Sequence, residues 1–62
     1  MLILERILRL MVEELRTGNQ QQKLSNNYVI MLCDSGVQYI RNVAIAVATQ
    51  RGIQIVSTQK RG

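Results

Sequence analysis

The chain reads as an α+β fold, an N-terminal amphipathic helix packed on a small antiparallel three-stranded meander. Three observations predict it. Residues 3–16 place apolar side chains at helical spacing; "YVIMLC", residues 28–33, is an apolar run of strand length; and a β-branched stretch, residues 37–49, lies between two triplets that end in glycine, Asp34-Ser35-Gly36 and Gln50-Arg51-Gly52.

The helix is expected over residues 2–17. Leu4, Leu8, Met11 and Leu15 follow one another at intervals of four, three and four, with Ile3, Ile7 and Leu10 in a second stripe beside them. Glu5, Arg6, Arg9, Glu13 and Arg16 form the polar face, on which Glu5–Arg9 and Glu13–Arg16 have helical ion-pair spacing. Gly18 suits the left-handed residue that ends a helix. "NQQQKLSNN", residues 19–27, is a polar connector with Leu24 as its one apolar residue. Amide side chains can read bases, but nothing sets these on a rigid element, and a solvated loop is expected.

Residues 28–33 read as a strand buried on both faces. The next segment supports two readings. As a strand over 37–49, Val37, Tyr39, Val43, Ile45 and Val47 share one face, interrupted by Arg41, and both glycine triplets match three-residue hairpin loops. As a helix over residues 35–51, Ile40, Val43, Ala44, Val47 and Ala48 fall on one side and Gln38, Asn42 and Thr49 on the other, with Asp34 as N-cap and Gly52 ending the helix. The meander is the preferred reading, and an α-β-α-β order is its close alternative. A third strand is expected over 53–59, "IQIVSTQ", before a basic tail at 60–62.

One domain of 62 residues buries only about 60% of the surface its unfolded chain exposes. Cys33 is the only cysteine and histidine is absent, so neither an internal disulfide nor an ordinary zinc site can supply the missing stability. A homodimer or higher oligomer is therefore expected, with Leu4, Leu8, Met11 and Leu15 at its interface. The lone thiol suits a reduced, cytoplasmic setting. Charged residues interrupt the N-terminal helix every turn, so no membrane span is expected.

Charge is uneven. Four cations and four acids cancel through Asp34, and the net charge of +4 comes from Arg41, Arg51, Lys60 and Arg61. Such asymmetry points to a polyanionic partner, RNA or DNA, with those four residues contacting phosphate and Tyr39 stacking on an exposed base. Catalysis is not expected: Ser-His-Asp and Cys-His arrangements need histidine, and no phosphate-binding loop or dinucleotide motif is present. No cofactor or metal is expected.

The order of a helix, "YVIMLC", the turn "DSG", a long bent strand "VQYIRNVAIAVAT" and "IQIVSTQ" resembles in layout the first half of an Sm-like RNA-binding barrel. The resemblance covers three of that family's five strands. It lacks the glycine usual in the second strand and the aspartate-asparagine loop signature, so no site residue is carried over.

Two functions follow as expectations. The first is a small homo-oligomeric, non-enzymatic nucleic-acid-binding protein that contacts phosphate through its basic C-terminal half. The second is a protein-interaction or assembly module, such as a regulator, inhibitor or small subunit of a larger partner, using the apolar helix stripe and a strand edge.

Overall fold

A computed structural model describes residues 2–20 and 23–55 of the chain. They form three helices, α1 (Leu2–Thr17), α2 (Asn26–Leu32) and α3 (Gln38–Arg51), with no strand among the described residues. The meander is thereby corrected, and the Sm-like layout, which rested on its strands, goes with it. Of the third expected strand, residues 53–55 belong to no regular element; the remainder and the basic tail lie outside the described residues.

The first helix follows its periodicity. Ile7 and Met11 reach the core, and Gly18, at φ 71°, ends the helix with its N–H donating to the Glu14 carbonyl. Residues 28–32 of the expected strand are helical, with Cys33 as the C-cap, for a local and a tertiary reason. Ser25 caps the helix, its hydroxyl accepting from the Tyr28 N–H at 3.1 Å, which satisfies one of the orphan donors of the first turn. Val29, Leu32 and Cys33 are buried while Ile30 and Met31 are exposed. That is a helical interval hidden within an unbroken apolar run.

In α3 the helical alternative for the ambiguous segment holds. Ile40, Ala44, Val47 and Ala48 are buried, and Ile45 lies off the core face. Gly52, at φ 78°, closes the helix, and Ile53 N–H donates back to the Ala48 carbonyl at 2.9 Å, the six-to-one bond of a Schellman ending. The helix begins later than the Asp34 cap predicts. Val37 is the N-cap, with no side-chain hydrogen bond to the first turn. Val37 is also half exposed, so Val37→Ser should raise stability by about 1 kcal/mol, read as a higher urea midpoint at unchanged slope.

The third helix is the centre of the fold and packs against both α1 and α2. Ala44 and Ala48 are fully buried, and their small side chains let both neighbours approach the α3 backbone closely. Leu24, the single apolar residue of the connector, completes the core with Met11, Val29 and Val47. Cys33 is buried at the end of α2; burial, reinforced by the adjacent Asp34 carboxylate, raises its thiol pKa and favours the neutral form. α2 runs antiparallel to α3, because the five-residue turn 33–37 joins them at one end and Asn26 meets Arg51 at the other.

Candidate nucleic-acid interface

Arg51 and Glu14 hold the far end of this arrangement together. The guanidinium donates Nε–H to Glu14 Oε2 and Nη2–H to Oε1, both at 2.9 Å, in a bidentate pair whose side chains are only 2% and 6% exposed. Its remaining nitrogen donates to the Leu24 carbonyl and to Asn26 Oδ1, and the Gln50 amide donates to the Glu14 carbonyl. Hydrogen bonding to the carboxylate raises the Arg51 pKa further, against the opposing effect of burial. Arg51 therefore ties α1, the connector and α2 to the end of α3. Its guanidinium, expected from sequence to meet phosphate, is thus engaged inside the fold.

No other ion pair forms among the described residues, so the helical pairs Glu5–Arg9 and Glu13–Arg16 expected on α1 are not made. Arg6 and Arg9 instead line a groove of about 490 Å³ together with Glu5, Leu8, Val12 and Tyr39. Tyr39 enters from the first turn of α3 and is 60% exposed. Both this groove and the Glu14–Arg51 pair show that α1 and α3 run in the same sense.

At 3.6 residues per turn, Gln38, Asn42, Ala46 and Thr49 make the outward stripe of α3, and all four are exposed. Tyr39 lies along one edge of the stripe, next to Arg6 and Arg9 of α1. Arg41 and Ile45 lie along the other, with Arg41 partly buried. Neither α2 nor α3 contains an acidic residue; Glu5 is the acid that shares the groove. Gln38 and Asn42 make no side-chain hydrogen bond among the described residues, whereas the amides of Gln50 and Asn26 are engaged inside the fold.

Comparison with family models gives no match, and comparison with curated proteins and with solved structures gives no significant one. Of the nucleic-acid contacts expected from sequence, Tyr39 and Arg41 lie on the two edges of one face, Arg51 is committed internally, and Lys60 and Arg61 lie outside the described residues. The structure adds Arg6, Arg9, Gln38 and Asn42 to that face.

The expected oligomer contacts also separate. Leu4 is 47% exposed and Leu8 and Leu15 are half-buried against the core, but Met11 is wholly enclosed within the chain. Among the described residues, no group of three or more metal-ligating side chains comes together, and no helix is long and apolar enough to cross a membrane.

Proposed function

We propose that the chain is a small, non-enzymatic nucleic-acid-binding protein, which binds through the face formed by α3 and the adjoining groove of α1. The observation that carries this reading is one arrangement: an acid-free helix whose outward polar stripe is bordered by Arg6 and Arg9 on one side and Arg41 on the other. Cations at the edges of a polar stripe can take phosphates and leave its centre to face the bases. Binding to labelled duplex DNA and single-stranded RNA should be measurable at about 50 mM salt and weaken steeply as salt rises, because phosphate contacts release counterions. No binding to either polymer at micromolar protein under those conditions would overturn the proposal.

A second reading has its own observation. Ile3, 70% exposed, and Leu4 prolong the core-facing stripe of α1 beyond the part that α3 covers. In an assembly module the occupant of this surface is a second copy of the chain. An antiparallel α1 from that copy can set Glu5 opposite Arg9 of its neighbour and the reverse, pairing side chains that are unpaired within the described chain. Light scattering should then give a dimer or larger species that Ile3→Gln with Leu4→Gln converts to a folded monomer. A wild-type monomer at high protein concentration would exclude this arrangement.

A further inference from the structure

Resting on the nucleic-acid reading above, we infer that α3 enters the major groove of duplex DNA, where Gln38 and Asn42 read adenine and Ala46 and Ile45 meet thymine methyl groups. The shape of the face favours a duplex groove. α3 is a continuous helix of 14 residues, about 21 Å long at 1.5 Å per residue, and its outward stripe is convex. B-form DNA admits an α-helix into its major groove, whereas the major groove of an RNA duplex is too narrow for side-chain readout. A single-stranded partner would call for a platform of aromatic side chains. This face has Tyr39 alone, at its edge, while Tyr28 is half-buried on α2.

The chemistry of the stripe then selects the base pair. A glutamine or asparagine amide can donate to N7 and accept from N6 of adenine in a bidentate pair, and an alkyl side chain packs on the thymine methyl. Gln38 and Asn42 are one helical turn apart, about 6 Å along the axis. That separation approaches two base-pair steps at 3.4 Å each, so each amide can address a different pair. Both are exposed and make no side-chain hydrogen bond among the described residues, so neither has to give up such a partner in order to bind. Guanine is most commonly read by arginine or lysine, and the outward stripe carries neither. Arg6, Arg9 and Arg41 lie beside it, where phosphate strands border the groove.

Three alternating duplexes of equal length test the assignment with the full chain: d(A-T), d(G-C) and d(I-C), the last resembling G·C in the major groove and A·T in the minor groove. The protein should bind d(A-T) about five- to a hundredfold more tightly than d(G-C), the range set by one good bidentate contact, and should bind d(I-C) like d(G-C). Asn42→Ala or Gln38→Ala should weaken d(A-T) binding, and the double variant should lose most of the preference, keeping only what the thymine-methyl contacts of Ala46 and Ile45 supply, with d(G-C) binding and the salt slope unchanged. Alanine at these exposed helical positions keeps the helix, which circular dichroism verifies. Equal binding to all three duplexes, grouping of d(I-C) with d(A-T), or a preference undiminished by both substitutions would overturn the major-groove assignment while leaving nucleic-acid binding standing. Binding only to single-stranded RNA would do the same. Failure to bind any nucleic acid would overturn both.

Discussion

Arg51→Met should destabilise the protein by about 3 kcal/mol, near the lower end of the cost of removing one partner from a buried ion pair. A chain of 62 residues has a total stability of roughly 3–9 kcal/mol at 0.05–0.15 kcal/mol per residue. At the lower end of that range the single substitution leaves folded and unfolded populations comparable at ambient temperature, and at the upper end it removes about a third of the total stability. The cost has identifiable parts: Glu14 is left as an uncompensated carboxylate only 6% exposed, and the Leu24 carbonyl and Asn26 side chain lose their donor. Glu14→Gln should cost less, because the amide oxygen can still accept from the guanidinium. Replacing both partners, Glu14→Leu with Arg51→Met, should be milder than the sum of the two corresponding single changes, since an apolar pair avoids desolvating two charges. Urea denaturation of the single and double variants provides the cycle. Additive losses would show that Glu14 and Arg51 contribute separately rather than as a pair.

The same pair explains where sequence reading stopped. Glu14 continues the interval Ile7–Met11–Glu14, and Arg51 continues Ile40–Ala44–Val47–Arg51. Each charge falls on the apolar stripe of its own helix. Two opposite charges on two core stripes are a signal that they meet, but it appears only once residues 38–51 are taken as a helix. The β-branched content of that segment and its glycine triplets fit a strand equally well at the local level. Packing decided between them: Ala44 and Ala48 supply little side-chain surface to a sheet face, but as fully buried residues of a central helix they admit two neighbours. α2 was harder to see. Its apolar run is too continuous to show a period, and Ser25 is masked by the polar residues around it. α1, with a clear amphipathic interval and a terminating glycine, was legible from end to end.

On the proposed face, Tyr39 and Arg41 are legible from composition and position. Arg6 and Arg9 are not, because they sit among acids on the polar side of α1, and their balance with Glu5 and Glu13 conceals which neighbours they meet in space. Gln38 and Asn42 were placed opposite the apolar face in the helical alternative. In sequence, amide readout of bases suggests itself for the connector, where no rigid element carries the side chains. A charge count along the chain cannot show that Arg51 is neutralised by Glu14 or that cations from two helices border one stripe.

Replacing Arg6, Arg9 and Arg41 together with glutamine should remove most of the nucleic-acid affinity. Each phosphate contact on duplex DNA contributes about 0.9 to the slope of log affinity against log salt, so loss of three should flatten the slope by about 2.7 and weaken binding on the order of a hundredfold near 0.15 M salt. Arg16→Gln provides the control, because Arg16 is exposed at the other end of α1 and lines neither edge of the stripe. Glu5→Gln should act in the opposite direction, tightening binding by removing the one carboxylate in the groove beside Tyr39. The measurement also separates this face from the basic tail. If Lys60→Gln with Arg61→Gln abolishes binding while the triple substitution leaves the slope unchanged, the tail carries the phosphate contacts and α3 does not. If the triple substitution flattens the slope and the tail variant retains most of it, the phosphate contacts are those of the folded face, where cations from α1 and α3 lie on opposite sides of one polar helix surface.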